Sequence, residues 1–529
     1  MSSSSESERP DGWSLLERQV MEANPDVQDV LDLAACIESL GWTDERVKQG
    51  FGQATVFDLA EDMLPHLREE VANIPLPQRT VVRPGSLILM LVRDLLHGVT
   101  FTLPTAIGVL AILLLHISFN AYLYFSVEKA TALALAMFLS FLITGGFTQA
   151  MSSTYYILMG LQQEEEVMRT VFRMMRWAFV GAVAVAALIL LLDTLFPLMP
   201  LSLAEFMSEY MVVLSALWLG YATLYVLRRE WILSIVTAGM VAVAYLAWHH
   251  GYPIIVGQLV GMGFASIVST LVAAFLFLRV RRRNPRLRRA LTSRMSQLVY
   301  ASSSYFFYGL LYFAFIFADR LIAWSTNTTY MPYSIWFRGQ YELGMDWSLG
   351  TLIIPLSVMD VLITVLMSWL TNEDKIVLES RALSLGLHFR RRYLVAMGLC
   401  GLAAVTGLAI THLLVHVAAA SPIFASATPV HGVEPFVFDL ASGAYILVAL
   451  ALLNVLLLFT FGLPQPALRA MMAATGVDLV VGMIATRLFN DYQYAVFGLL
   501  AGAIFLIAVT TLELIRSLPK VDFLLYRLS

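Results

Sequence analysis

Long apolar runs separated by short polar connections make up most of the chain from about residue 99 onwards. A run of about 20 apolar residues is long enough to cross the hydrocarbon core of a bilayer as an α-helix. The fold class is therefore an all-α polytopic membrane protein. The pattern predicts twelve spans, at about 99–124, 131–157, 177–198, 208–227, 231–249, 253–278, 297–323, 347–370, 393–417, 438–462, 470–488 and 493–515.

The first 83 residues follow a different pattern, in which apolar positions recur at helical spacing among many charged ones. Three short amphipathic helices are predicted, with starts at Asn24-Pro25, at Thr43 and near Thr55. Residues 1–83 are therefore predicted to form an acidic cytosolic helical domain and linker that serves docking rather than catalysis. The Ser/Glu-rich start has neither the basic nor the apolar region of a cleaved signal peptide.

Composition and charge sharpen this division. The chain is 59% hydrophobic and 14% charged, which excludes a soluble enzyme, a nucleic-acid binder and a disordered scaffold. Residues 1–83 carry a net charge of −9 and the remainder carries +5. With a cytoplasmic N-terminus, 22 Lys and Arg residues fall in the inner connections and C-terminal tail and three in the outer connections. The positive-inside rule therefore predicts that both termini lie in the cytoplasm.

A basic run at 279–289 divides the predicted spans into six and six. Two six-helix bundles are the layout expected of a transporter built from two related halves. The predicted units are residues 84–290, with a membrane-surface helix, the first bundle and the basic linker, and residues 291–529, with the second bundle and the tail. The basic run also serves as a topology signal that contacts anionic lipid, and the two roles are compatible.

Motifs for familiar catalysis and metal binding are absent from the sequence. There is no GxxxxGK[ST] loop, no HExxH and no CxxC. Cys36 and Cys400 lie in different regions, and His412 with His416, one helical turn apart, lack a third ligand. No cofactor, metal site or catalytic residue is predicted, and the protein is not expected to be an enzyme.

Ionisable residues inside the apolar runs are the best guides to function, because inserting each one costs about 2.5 to 3.5 kcal/mol. The apolar runs contain four acids and one base. The acids are Asp193, Asp319, Asp360 and Asp478, and the base is Arg320. This excess of acids favours a cavity for neutral or cationic cargo. Alternatively, the acids carry coupling protons or sodium.

The seventh span carries an aromatic stripe that ends in a carboxylate. Tyr308, Tyr312, Phe315 and Asp319 follow at spacings of four, three and four residues and share one helix face. Such a stripe suits a sugar, because the apolar C–H faces of a sugar lie on aromatic rings and its hydroxyls bond to acids. The alternative interpretation is that the rings pack against neighbouring helices and that Asp319 forms an ion pair within the membrane. Asp319 and Arg320 lie near the outer boundary, where they are predicted to shape a gate.

Two further acids are predicted near the middle of the membrane. Pro355 removes a backbone hydrogen bond from the eighth span five residues before Asp360, which indicates a broken helix beside a carboxylate. Asp478 lies near the middle of the eleventh span. Each acid is interpreted either as part of a substrate path or as a buried, hydrogen-bonded structural residue.

The seventh and eighth spans contain a motif that resembles a known family. Residues 308–324 and 340–359 resemble the inner-membrane exporters of Pel exopolysaccharide systems, in the multidrug/oligosaccharidyl-lipid/polysaccharide (MOP) flippase superfamily. The chain differs in its acidic N-terminal domain and in lacking a Ser-Gly-Pro-Trp sequence in the first span. The matching positions are Asp319-Arg320, Trp324, Tyr341-Glu342-Leu343, with Glu where the family has Asp, and Ile353-Ile354-Pro355.

The resemblance implies a transporter that passes a polysaccharide from a cytosolic glycosyltransferase through a central cavity. The expected partners are the lipid bilayer, the polysaccharide, that glycosyltransferase and other export-complex subunits, without nucleic acid. One alternative is an ion-coupled exporter of small molecules or lipid-linked oligosaccharides from the same superfamily. Another is a membrane glycosyltransferase or ligase, although the longest predicted outer loops, 324–346 and 418–437, are short for such an enzyme.

Overall fold

A computed structural model describes most of the chain. The described residues are helical, and they contain no β-strand. They fall into two compact units, Met1–Pro84 and Gly85–Ser529. The described ranges are 12–23, 29–73, a few positions between 103 and 115, 125–160, 164–197, 199–227, 229–283, 295–329, 331–374, 382–421 and 424–518.

The first unit is a small helical domain with its own core, centred on residues such as Leu33, Leu59 and Met63. Thr43 precedes one helix as predicted, whereas the helix expected from Asn24-Pro25 begins at Val30, and residues 24–28 lie outside the described part. The helix Trp13–Ala23 is additional to the three predicted helices, and its Leu16 and Val20 side chains belong to the core of this unit. The described helices are α1 (Trp13–Ala23), α2 (Val30–Ser39), α3 (Asp44–Gly50) and α4 (Val56–Asn73).

The second unit confirms the predicted all-α polytopic fold. Eleven helical segments in its described part are long and apolar enough to cross a bilayer, and they correspond to the second to twelfth predicted spans. The first predicted span lies largely outside the described residues. The helices are α5 (Val127–Gly160), α6 (Glu164–Leu195), α7 (Leu201–Val226), α8 (Glu230–His249), α9 (Ile254–Arg283), α10 (Met295–Trp324), α11 (Gly339–Ser348), α12 (Ile353–Asp374), α13 (Ala382–Ala419), α14 (Glu434–Thr460), α15 (Pro464–Leu488) and α16 (Val496–Ser517).

Helices α5 to α9 pack mainly against one another, as do α10 to α16, and α5 packs against α10 across the two groups. Glycines permit this close approach. A Cβ atom added at Gly145 would lie 2.2 Å from the Phe313 ring, and one added at Gly309 would lie 2.5 Å from the Gly145 carbonyl oxygen. We call α5–α9 the first bundle and α10–α16 the second bundle.

The eighth span is a broken helix. It begins at Gly339, earlier than the predicted 347, and changes from α-helix to a 3-10 turn over Leu349–Leu352 before α12 begins. Pro355 has no amide hydrogen to donate back to the Thr351 carbonyl. That carbonyl lies against Gly407 of α13, where an added Cβ would be 2.6 Å from its oxygen. The earlier start brings Glu342 and Asp346 into this span.

Candidate functional site

The interior of the second bundle holds three carboxylates and one guanidinium. Asp319 and Arg320 lie on α10, Glu342 on α11 and Asp478 on α15, and none of these residues is more than 2% exposed. A fully buried charge is costly unless it is paired or neutralised. The partners of each group therefore determine what the site does.

Arg320 is committed to an ion-pair network. Its guanidinium pairs with Glu342 and lies 3.1 Å from an Asp346 carboxylate oxygen. The Trp324 indole nitrogen donates to the second Glu342 oxygen at 2.8 Å. Both Glu342 oxygens are thus satisfied, and the positive charge is balanced on the α11 side. We call Arg320, Trp324, Glu342 and Asp346 the ion-pair network.

The other two acids form a separate acidic site with Tyr341. The Tyr341 hydroxyl donates to Asp319 Oδ2 at 2.6 Å. Among the described residues, Asp319 Oδ1 and both Asp478 oxygens have no hydrogen-bond partner. Asp478 interacts electrostatically with Asp319 and Tyr341. Asp319 also interacts electrostatically with the neighbouring Arg320, but that guanidinium is shared with Glu342 and Asp346. A further negative charge at Asp478 is therefore costly unless a proton or a cation neutralises it.

Glycines on α16 position Asp478 deep in the bundle. A Cβ added at Gly498 would lie 2.5 Å from both the carbonyl oxygen and Oδ1 of Asp478. One added at Gly502 would lie 2.6 Å from the Phe315 ring and 3.1 Å from Asp478 Cβ. The structure therefore brings together three predicted site residues, Phe315, Asp319 and Asp478.

The rings of the aromatic stripe pack against one another and against neighbouring rings. Tyr308 and Tyr312 stack at 6.4 Å between ring centroids, and Tyr308 meets Phe459 edge-on at 5.0 Å. Tyr308 and Phe315 are buried at 2% and 0% exposure. The Tyr308 and Phe315 rings are enclosed where α10 packs against α5 and α15, whereas Tyr312 is half-buried. Contact between the stripe and a cargo stays a prediction.

Asp360 lies apart from the acidic site, on the exposed face of α12. Ser357, Thr364 and Ser368 share this face, and each hydroxyl donates to a carbonyl of its own helix at 2.9 Å. We call these four residues the polar stripe. An exposed polar face on a membrane-spanning helix suits a water-filled cavity better than lipid.

Asp193 has a structural position at the end of α6. It is 6% exposed, and its Oδ1 accepts a hydrogen bond from the Met199 amide at 3.1 Å. A short connection after α6 is thereby held in place. Asp193 is distant in sequence and in helix packing from the acidic site, so its apolar sequence context indicated burial but not function.

At the end of α10, two arginines hold the following connection. Arg338 Nη2 donates to the Thr326 carbonyl at 2.6 Å, and Arg487 Nη1 donates to the Thr326 hydroxyl at 2.5 Å. The Phe337 amide donates to the Thr131 hydroxyl of α5 at 3.1 Å, which joins the two bundles. This hydrogen-bonded clasp covers the end of α10 that carries Asp319 and Arg320.

Glu342 and Tyr341 were not predicted as site residues. Their acidic and polar neighbours lowered the local hydropathy, so the predicted span began after them. The Tyr341-Glu342 motif was the available signal. The described residues contain no group of three or more His, Cys, Asp or Glu side chains that could hold a metal ion.

No family model and no curated protein matches the sequence. Solved structures do share its fold. A mutant of the Vibrio cholerae MATE transporter VcmN is 15% identical, with a TM-score of 0.52 over 82% of this chain and 99% of that one. An outward-facing multidrug resistance MATE transporter of the MOP superfamily is 11% identical, with a TM-score of 0.55 over 81% and 96%. The MATE transporter ClbM in complex with Rb+ is 13% identical, with a TM-score of 0.50 over 81% and 96%.

These similarities define the class of fold. Over about four fifths of its length the chain has the multi-helix fold of these MATE transporters, one of which is described as a member of the MOP superfamily. At 11% to 15% identity the similarity concerns the fold alone. The narrower resemblance to Pel exporters stays a prediction.

Proposed function

We propose that this protein is a multi-pass membrane transporter whose cycle is coupled to a proton or a monovalent cation at Asp319 and Asp478. One observation carries the proposal. Both carboxylates are fully buried, they interact with each other, and Arg320 is committed to Glu342. Because the pair requires neutralisation, binding or release of an ion changes the charge held between α10, α15 and α16. An ion gradient can drive a transport cycle only through such a link between ion binding and helix packing.

The fold supports a transporter, and the ClbM complex with Rb+ supports a monovalent cation as one form of the coupling ion. Exchange of the ion requires the site to open to water at some stage of the cycle. We propose that the hydrogen-bonded clasp after α10 opens at that stage, which would break the contact of Phe337 with Thr131 of the first bundle.

Ion binding can be tested with the purified full-length protein. We expect the thermal unfolding temperature to rise with added NaCl, KCl or RbCl relative to choline chloride, or to depend on pH when the coupling ion is a proton. Asp319→Asn and Asp478→Asn each remove a carboxylate charge and should abolish this response. Asp439→Asn is the matched control, because its carboxylate is 65% exposed and pairs with His412.

Two outcomes would reject ion coupling at this site. One is an unfolding temperature that depends on neither pH nor any of these cations. The other is an equal loss of response in Asp439→Asn, which would trace the effect to surface charge.

A polysaccharide is the cargo we propose, with a cytosolic glycosyltransferase and further export subunits as partners. The resemblance to Pel exporters supports this cargo, and the polar stripe supports a hydrated path along α12. Each hydroxyl in the stripe already donates to its helix, so the stripe offers hydrogen-bond acceptors to the hydroxyls of a sugar chain. We propose the bacterial inner membrane as the location, with cytoplasmic termini and an N-terminal domain that docks the synthase.

Liposomes that contain the protein and its synthase distinguish the cargo hypotheses. Labelled polymer should enter the lumen only with both proteins present, and Asp360→Asn should slow its entry. Gradient-driven transport without a synthase would instead favour a small-molecule or lipid-linked oligosaccharide exporter. Glycosyl transfer by the purified protein alone in detergent would favour the membrane glycosyltransferase alternative.

A further inference from the structure

Helix α6 lies at the periphery of the first bundle. In the most apolar stretch of 18 residues of this helix, 22% is buried inside the protein, which is the lowest fraction among the eleven described spans. Large apolar side chains such as Val180, Val183 and Leu191 are 43% to 54% exposed. Lipid is the only surrounding medium that suits this apolar face, so the face is directed at the bilayer.

Three arginines continue the same face toward the start of α6. Arg169, Arg173 and Arg176 are exposed and follow at spacings of four and three residues, and Val180 and Val183 extend the series. The rise of 1.5 Å per residue spreads the arginines over about 10 Å along the axis. A headgroup layer is roughly 5 to 8 Å thick on each side of the hydrocarbon core. A lipid-directed face that turns from valine to arginine therefore passes from acyl chains into headgroups.

The second bundle repeats the arrangement on α13. Arg390 and Arg391 are exposed at the start of the membrane-spanning segment of this helix, Phe389–Ala419. The face of Arg391 continues into Val395 and Leu402, at 59% and 64% exposure. The neighbouring Arg392 stacks over the Trp369 ring at 4.0 Å. An even number of described spans separates the starts of α6 and α13, so both starts lie on the same membrane surface.

We propose that the arginines at the starts of α6 and α13 form two binding sites for the headgroups of anionic phospholipids, one on each bundle. Charge complementarity and the continuity of each arginine row with a lipid-directed apolar face identify the occupant. A soluble protein would meet arginines set beside exposed valine and leucine, whereas a phospholipid matches both halves of the surface. The two sites anchor both bundles to one leaflet, and the inference does not rest on the proposed transport function.

The test uses full-length protein in zwitterionic detergent, titrated with phosphatidylglycerol or phosphatidylcholine and followed by native mass spectrometry. We expect preferential binding of phosphatidylglycerol that weakens at high salt. Arg173→Gln/Arg176→Gln should lower that preference about tenfold to thirtyfold, because each arginine near an anionic surface strengthens binding about fivefold. Arg46→Gln/Lys48→Gln is the matched control, since both side chains are exposed on α3 of the N-terminal unit, outside the membrane-spanning helices.

Several results would overturn the proposal. One is equal binding of the two lipids by the unmodified protein. Another is an equal loss of the preference for phosphatidylglycerol in the control variant. A third is displacement of bound lipid by inorganic phosphate at millimolar concentration, which would indicate a site for a free anion. Arg173→Lys/Arg176→Lys keeps both charges and should retain most of the preference. Arg390→Gln/Arg391→Gln tests the second site independently, should the first variant fail to fold.

Discussion

The two bundles differ in the polar groups that they bury. In the described part of the first bundle, buried contacts join neutral groups, such as Ser140 with Ser215 at 3.2 Å and Tyr221 with Thr237 at 2.7 Å. Its buried acids, Glu166 and Asp193, lie near the two ends of α6. The second bundle instead places three carboxylates and an arginine in its interior. Buried ions are expensive, and their concentration in one bundle is the reason why we assign the proposed ion coupling to this bundle.

The second bundle also shows that its sequence can satisfy buried polar groups. The Tyr393 hydroxyl donates to Asn454 Oδ1 at 2.8 Å, and Asn454 Nδ2 donates to Thr511 at 2.9 Å. Asp478 lies in the same bundle without a hydrogen-bond partner among the described residues. The hydroxyls of Tyr308 and Ser442 in this bundle also have no hydrogen-bond partner among the described residues, but an ionised carboxylate without a partner costs far more than a hydroxyl, so Asp478 is the group for which a proton or a cation matters most.

The largest expected effect comes from removal of Arg320. Arg320→Gln leaves Glu342 buried without its cation, and breaking a buried ion pair in this way costs about 3 to 5 kcal/mol. We expect a marked fall in the thermal unfolding temperature. The double variant Arg320→Gln/Glu342→Gln removes both charges and should recover much of the loss. If the single variant is as stable as the unmodified protein, the second bundle does not depend on this pair.

An intermediate effect is expected at the α15–α16 contact. Gly498→Ala places a Cβ 2.5 Å from the Asp478 carbonyl, so the helices must separate at a cost of about 1 to 3 kcal/mol. The displacement should also weaken the ion-dependent rise in unfolding temperature. Gly476→Ala on α15 is the control, because an added Cβ there meets nothing within 4 Å. Equal behaviour of the two variants would argue against a tightly packed acidic site.

The smallest effect is expected in the first bundle. Ser215→Ala removes the hydrogen bond to Ser140, and such contacts between membrane helices contribute about 0.6 kcal/mol on average. Stability should fall slightly, and the ion response measured by thermal unfolding should remain intact. A lost ion response in Ser215→Ala would show that the first bundle takes part in the ion chemistry, and the contrast between the bundles would no longer hold.

Much of the fold could be predicted from the sequence, because hydrocarbon imposes a length and an apolar composition on each span. The acids at Asp319 and Asp478 were also recognisable, since a charge in an apolar run is conspicuous. Glu342 was missed because a polar segment can enter a span when a neighbouring Arg320 neutralises it. The aromatic stripe was recognised as one helix face, but periodicity does not reveal whether that face meets a cavity or other helices.

The sequence by itself determined the all-α membrane fold, the division from an acidic N-terminal region and the identity of the intramembrane acids. Each of these depends on local composition along one stretch of chain. The tertiary structure alone decided that Asp319 and Asp478 share a site, that Arg320 belongs to Glu342 and that Asp360 stands on a separate exposed stripe. Those pairings join residues as far apart as α10 and α15, and helix packing, including the glycine contacts of α16, brings them together.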